Sequence, residues 1–515
     1  MAYRRSKWTL GVAAVAAVGA GCFGKTYWTP TLASPEAVAR TVPGTVKVHL
    51  QSGELALLRV WQADTGTRRL SGLGTWFNAA RQPVDSGRVS IPFDSIALVE
   101  THQADAAHPL GLSGLAVWTA IMAPLTAACV ADPKSCFGSC PTFYARDTAT
   151  IPQAEGFSAS FARALEATDL DALGPVGARD GRAFVVRMTN EALETHAVRS
   201  LYLLAAPRPP GGRTFATTDG RLLPTTGLTP AVRCAGPEGD CTRVVYALDR
   251  SERRSLADSM DLAARETVNL TFPAVSGPAA LVLAARQTLV STFLFYQTMA
   301  YFGHNGGAWL AGLERAGPAG GPAATGMARV LGGIEVFVTQ GDAWTSAGEY
   351  AEAGPIATDV QVFPLPSLGH SSDSVRIRLR MARGAWRIDW IALARVGLPV
   401  TAVRLEPAVV LRASTPNHTA LHALRDTSRY LVTYPGDTYR VEFHLPDADT
   451  GWELFLESRG YYYEWMRAEW LRETDPAMAL RAIHDPEGML RALAPVFKQV
   501  EPLMERRFWD SRFGR

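Results

Sequence analysis

Short apolar–polar alternations dominate this chain, and few segments carry a helical repeat. The clearest run is "SVRIRLRM". Val375, Ile377, Leu379 and Met381 point one way, and Arg376, Arg378 and Arg380 the other. A period of two over this length predicts a half-buried strand. "TVKVHL", "ELALLRVWQ" and "RVSIPFDSIALVE" predict a small β-meander, broken by the turn formers "DTGT", "GLGT" and "DSG". "GRAFVVRMTN" and "HAVRSLYLLAAPRP" read as a pair of strands. "ETVNLTFP", "AALVLAAR", "GAWRIDWIALARV" and "VTAVRLEPAVVLR" read as further strands, as do the two flanks of the Pro-Gly-Asp turn in "RYLVTYPGDTYRVEFHLP".

Three patterns depart from the alternation. "QTLVSTFLFYQTMAYFG" is uncharged and of helical length, which predicts a fully buried helix. "PAMALRAI" and "PEGMLRALAPVFKQVEPLMERRF" predict a helical tail. "SERRSLADSM" carries a serine in the N-cap position and predicts a modest helix start. The expected fold is mainly β with some α. It has several β-sandwich or meander domains, one or two buried apolar helices and a helical C-terminal tail.

The expected organisation is an export signal (1–21), a tether (22–42), a small β domain (43–108), and an apolar segment with a cysteine loop (109–145). A β-rich central domain with a buried helix (146–315) follows. The Gly/Pro-rich "AGPAGGPAATG" is the best internal linker. A β-sandwich-like domain (327–474) and the tail (475–515) complete the chain. Residues 109–131 hold no charge and are long enough to cross a bilayer, but their Gly, Ser, Thr and Pro content also suits a buried hairpin or a membrane-resting segment.

Composition adds location. The head of the chain carries Arg4, Arg5 and Lys7, then a short apolar run, then Gly19-Ala20-Gly21-Cys22. A basic head, an apolar core and small residues describe an export signal. A cysteine right after these small residues resembles the lipobox of bacterial lipoproteins, in which it carries the lipid, although Gly19 stands where a leucine-like residue is usual. Cys22 is therefore the expected anchor, with a plain cleaved signal and an uncleaved anchor as alternatives. The expected location is the bacterial envelope, at the outer membrane or facing the periplasm. A net charge of +2, with five lysines in 515 residues, gives no ground for a nucleic-acid partner.

Export makes paired cysteines the default. Cys234 and Cys241 enclose the short loop "AGPEGD" and are expected to form a local disulfide. Cys136 and Cys140, in "CFGSCPTFY", have the spacing of copper-delivery cysteine pairs, but a disulfide is the favoured reading. Cys129 either competes for that bridge or is the odd thiol. No P-loop, dinucleotide fingerprint or serine-hydrolase elbow is present, and "GFSASF" has Ser160 where the elbow needs its second glycine. His418, His422 and Asp426 have helical spacing but lack the glutamate of a zincin, so an exposed polar helix face is expected. No catalytic residue, metal or cofactor is assigned. The aromatic run containing Tyr461, Tyr462, Tyr463 and Trp465 is a candidate binding surface for a carbohydrate or an envelope protein.

"SCFGSCPTFY", the run from "AEGFSASF" to "RALEATDLDAL", and "MTNEALETH" together resemble an uncharacterised family of predicted bacterial envelope lipoproteins. The resemblance implies export and an envelope location, and it brings no activity. The leading expectation is a membrane-anchored binding or assembly module. The alternatives are a hydrolase of envelope polymers and a copper or thiol-redox accessory protein.

Overall fold

A computed structural model describes residues 27–33, 46–50, 54–77, 83–105, 141–146, 149–177, 182–191, 194–316, 325–341, 343–351, 354–367, 374–434, 436–447, 451–464 and 474–511. These residues are mainly β with some α, in five sheets.

The first sheet is the expected meander. Its strands are β1 (Tyr27–Ala33), β2 (Val46–Leu50), β3 (Leu55–Asp64), β4 (Arg69–Phe77), β5 (Pro83–Pro92) and β6 (Ile96–Asp105), in the order β1-β6-β2-β3-β4-β5. Val48, Leu58, Leu70 and Val99 form its fully buried centre. Part of the stretch read as a tether is β1, which pairs antiparallel with β6.

The remaining sheets make two sandwiches, one inserted into the other. One sheet of the outer sandwich contains β7 (Thr142–Ala145), β8 (Ala154–Glu155), β10 (Ala183–Thr189), β25 (Val409–Arg412), β26 (Thr415–Pro416) and β28 (Thr438–His444). Facing it are β9 (Ala167–Val176), β11 (Glu194–Pro207), β24 (Val403–Leu405), β27 (Leu431–Thr433) and β29 (Trp452–Glu464). Phe143, Val186, Val441 and Phe443 from the first sheet meet Val198, Leu201, Leu203, Leu454 and Leu456 from the second. The long strand β29 pairs with β11 on one side and β9 on the other. It thereby ties the N-terminal and C-terminal halves of this sandwich together.

The inner sandwich lies between β11 and β24 in the chain. β12 (Arg213–Ala216), β13 (Leu222–Pro230), β18 (Ala279–Gln287), β21 (Asp359–Pro364) and β23 (Trp386–Val396) close into a ring, with β16 (Arg253–Arg254) on its edge. Against it lies a sheet of β14 (Arg233–Gly236), β15 (Gly239–Asp240), β17 (Arg265–Pro273), β19 (Ile334–Gln340), β20 (Ala343–Tyr350) and β22 (Ser374–Ala382). The continuous apolar run of β18 follows from burial on both faces. Ala280, Val282 and Ala284 fill the ring, while Leu281 and Leu283 join the core against the second sheet. In β22 Val375, Ile377, Leu379 and Met381 are buried and Arg376 and Arg380 exposed, as the alternation predicts.

Helices cover one end of the inner sandwich. α1 (Val290–Phe302), α2 (Gly306–Ala316) and α3 (Gly326–Leu331) follow β18, and α5 (Pro476–His484) and α6 (Pro486–Ser511) return from the far end of the chain. α1 is the expected buried helix. Asp475 caps α5 by accepting from the Ala477 and Met478 N–H groups, with Pro476 in the first turn. Met489, Leu490, Leu493 and Phe497 of α6 join the same core as Leu294 and Met299. The helix α4 (His418–Arg425), capped by Asn417, covers the outer sandwich with Ala420, Ala423 and Leu424.

The nesting changes the expected domain limits. The segments 146–315 and 327–474 are not successive domains, because each contributes strands to both sandwiches. α2 and α3 flank the Gly/Pro-rich linker, and both pack on one core. β10 and β11 do not pair with each other but lie in facing sheets. The expected helix start at Ser251 is replaced by β16, which pairs with β23. Periodicity identifies a strand; it does not name the partner of that strand.

Phe497 is buried against Phe293, with ring centroids 5.1 Å apart. Phe497→Ala should cost about 3–5 kcal/mol in urea unfolding. Leu480→Ala, at a residue 57% exposed, should change stability by less than about 0.5 kcal/mol.

Candidate functional site

The tyrosines of the aromatic run do not form an exposed surface. Tyr461 is buried beside Ala197, with its ring edge-on to Tyr430 at 5.3 Å and to Tyr463 at 5.1 Å. Tyr463 is half-buried. Tyr462 lies on the opposite face of β29, as strand alternation requires. It is 7% exposed, packs with Phe161 and Leu313, and donates its hydroxyl to the Ser158 carbonyl at 3.2 Å. Cys22, Cys129, Cys136, Cys140 and Trp465 lie outside the described residues. Cys234 and Cys241 form the expected disulfide and are buried. His418 and His422 sit on α4 as expected. Among the described residues no three His, Cys, Asp or Glu side chains group as metal ligands.

Tyr462 instead helps to line a cavity of about 190 Å³ at the seam between the sandwiches. α1, α2, α3 and α5 supply most of the wall, and residues 155–161 close it from the outer sandwich. The uncharged sequence of α1 explains the apolar lining. Ala300 is buried in the core, Met299 is buried and also reaches the cavity, and Ser291, Thr292 and Phe295 remain half-buried toward it. Phe161 packs on Phe295 at 4.8 Å and on Trp309 at 6.3 Å. Leu294, Met327 and Leu331 complete the apolar surface, and Glu155, Ser158 and Gln287 are among its polar groups.

Glu155 ends β8 and is 3% exposed. Its Oε2 accepts from the Ile356 N–H at 2.6 Å and the Ala357 N–H at 3.3 Å, and its Oε1 accepts from the Ser158 hydroxyl at 2.8 Å. The donors at 356 and 357 belong to the inner sandwich, so this carboxyl bridges the seam. Gly354, at φ +122°, makes room for it, since a Cβ there would stand 2.0 Å from Glu155 Oε1.

Three further carboxyls stand behind Glu155. The Glu155 N–H points to Asp171 Oδ1 at 3.4 Å. Asp169, half-buried, accepts from the Phe157 and Leu170 N–H groups, both at 3.0 Å. Asp359 of β21 accepts from the Ala172 N–H of β9 at 2.9 Å, a second bond across the seam. Asp171 is 3% exposed and its Oδ2 has no hydrogen-bond partner among the described residues. No arginine or lysine among the described residues forms an ion pair with any of the four. Several other buried acids are paired, whereas Asp389, 1% exposed, accepts from the Asp249 and Arg250 N–H groups. Arg213 holds Glu453 through three bonds of 2.7, 2.8 and 3.1 Å at the same seam, Arg253 holds Glu266 at 2.8 Å, and Arg286 holds the half-buried Glu252.

Burial without a counter-charge favours the protonated form. It pushes the Glu155 carboxyl up to about 7. Burial, then the neighbouring Asp359, pushes Asp169 up to about 6. Burial, then Asp169 and Asp359, raises Asp171 well above the carboxylate range, and burial raises Asp359. Of the four only Glu155 reaches the cavity. An apolar chamber with one carboxyl that titrates near neutrality can hold a small apolar molecule by a hydrogen-bonding or charged end.

None of these acids was singled out from the sequence, although two had a usable signal. Asp169 and Asp171 are two apart in "ATDLDAL", so on a strand they share a face. One other polar series is noteworthy. His196 Nε2 meets Glu194 Oε1 at 2.7 Å, and Thr433 Oγ1 meets His196 Nδ1 at 3.2 Å. It has the order of a nucleophile relay, but all three residues are buried and none lines the cavity.

The native state holds protons on these carboxyls that the unfolded chain, with values near 3.8 and 4.5, has released. For Glu155 and Asp169 this contribution to stability is therefore largest at acid pH and falls as pH rises from about 4 through about 7. Asp171→Asn should raise the unfolding free energy at pH 8 by about 1–3 kcal/mol, by removing the cost of burying a carboxyl that the unfolded chain leaves ionised in water. At pH 4 it should change it by less than about 0.5 kcal/mol. Urea unfolding at the two pH values checks both.

No protein-family model matches the chain, and no curated protein matches it.

Proposed function

We propose that this chain is an exported binding module, tethered to the bacterial envelope by lipid on Cys22, and that the seam cavity is its binding site. The basic, apolar and small-residue order of residues 1–22 supports export and the anchor. One observation carries the binding reading: a mostly apolar chamber into which few polar groups converge, one of them Glu155. At about 190 Å³ the chamber is smaller than the roughly 300–1,000 Å³ of pockets for drug-sized ligands. This favours a small molecule, or one end of a larger one, over a polysaccharide strand.

The envelope-polymer hydrolase is the second reading. The value of about 7 for Glu155 favours it, because a general acid or base works best near the ambient pH. A glycosidase of the usual kind needs a second carboxyl across the site, and among the described residues Glu155 is the only carboxyl residue lining this chamber.

Ser291 lines the cavity from α1, so Ser291→Trp should fill it. Native mass spectrometry of wild-type protein from envelope extracts should show a non-covalent adduct, and Ser291→Trp should lose it. Bare protein in both samples would count against the binding site. Cys22→Ser should move the protein from the membrane to the soluble fraction, and continued membrane retention of that variant would count against the lipid anchor.

A further inference from the structure

We infer that the ligand of the seam cavity is a primary ammonium on a small apolar body, with its charged end on Glu155. The inference rests on the cavity being the binding site, and it names the ligand's chemical class.

Size sets the apolar body. A cavity of about 150 Å³ with an aliphatic and aromatic lining holds one benzene ring. A chamber of about 190 Å³ therefore takes one ring or a short alkyl chain. Phe161, Phe295, Trp309 and Tyr462 offer it ring faces and edges.

The polar end follows from Glu155. Its Oε2 already accepts two backbone N–H groups, whereas its Oε1 accepts only the Ser158 hydroxyl. A carboxylate oxygen accepts two hydrogen bonds, so Oε1 has one place left. Gly354 lines the same cavity, and the place its side chain would take is filled by the Glu155 carboxyl itself. The open position thus calls for a donor.

Charge decides which donor. Asp169 and Asp171 on β9 and Asp359 on β21 face Glu155 from behind. Around it stand the Ser158 hydroxyl and the N–H groups of Ile356 and Ala357. No cationic side chain among the described residues pairs with these acids, although arginines hold the buried Glu453 and Glu266. Asp171 keeps a buried oxygen without a hydrogen-bond partner. An anionic ligand meets the Glu155 carboxyl in the cavity wall, with three aspartates behind it and no cationic side chain paired with them among the described residues. A neutral alcohol gains one hydrogen bond. An ammonium gains the bond and the missing counter-charge, and ring faces attract it further.

Binding is then linked to a proton. The ammonium pairs with the ionised carboxylate, so a site that carries a proton on Glu155 releases it to solvent when the ligand enters. With Glu155 at about 7, affinity should rise roughly tenfold between pH 6 and pH 8 and change little above that, until the amine itself loses its proton.

The test is isothermal titration of the full chain with benzylammonium, benzyl alcohol and benzoate, at pH 6 and 8, in two buffers of different ionisation enthalpy. Benzylammonium should bind about tenfold more tightly at pH 8 and release close to one proton at pH 6. Benzyl alcohol should bind more weakly at pH 8 and without pH dependence, and benzoate should not bind. Glu155→Gln should abolish the pH dependence and the preference for the ammonium. The wild-type proton release stands as evidence even if that variant does not fold. Alcohol binding as tight as the ammonium at pH 8, or ammonium binding without proton release, would overturn the ligand class and leave the cavity as a binding site. No binding by any of the three probes, or binding that survives Ser291→Trp, would overturn both.

Discussion

Glu155, Asp171 and Asp359, buried at one seam beside the half-buried Asp169, with no cation paired to them among the described residues, set the conditions that the rest of the fold has to meet. An ionised carboxylate out of water costs several kcal/mol unless it is paired. Here the chain meets that demand with backbone N–H groups and with retained protons. The N–H groups of Ile356 and Ala357 come from the inner sandwich and serve Glu155 of the outer one. The N–H of Ala172 runs the other way, to Asp359. The bonds that make the acids tolerable are thus the bonds that hold the two sandwiches in register. Glu453 and Arg213, at the same seam, show the alternative of a direct ion pair, which leaves no vacancy for a ligand.

Nesting makes this seam possible. Because β29 inserts between β11 and β9, the outer sandwich closes only after the inner one has been traversed. The outer face of β29 then packs through Phe455 against Ala216 and Leu222 of the ring. α1 emerges from β18 beside this junction, and α5 and α6 come back to cover it. The cavity is what remains where strand layers end and helices of fixed diameter begin. Its apolar lining follows from α1, which has no charged residue to present on any face.

Local features were legible in the sequence and long-range ones were not. The arginine alternation of β22, the uncharged α1, the helical tail and the Cys234–Cys241 loop each depend on residues close in the chain. The partner of β11 lies in β29, near the other end, and no periodicity encodes that choice. Tyr461 and Tyr462 looked like one aromatic surface because they are adjacent, yet a strand sends neighbours to opposite faces. One joined a buried ring cluster and the other the cavity wall. Glu155 and Asp359 carry no local signal, because each becomes notable only through the absence of an arginine nearby. All three stretches that carry the lipoprotein resemblance supply residues to the outer sandwich, and the middle one contains Glu155, Asp169 and Asp171.

The protonation of Glu155 is the most direct measure of this arrangement. Carbon-13 labelling of glutamate side-chain carboxyls, with Glu155→Gln to assign the resonance, allows its titration to be followed by nuclear magnetic resonance. A midpoint near 7 is expected for a buried carboxyl without a counter-charge. A midpoint at the ordinary value of about 4.3 for a solvated glutamate would mean that water or a cation reaches the seam, and the carboxyls would then not be the constraint described.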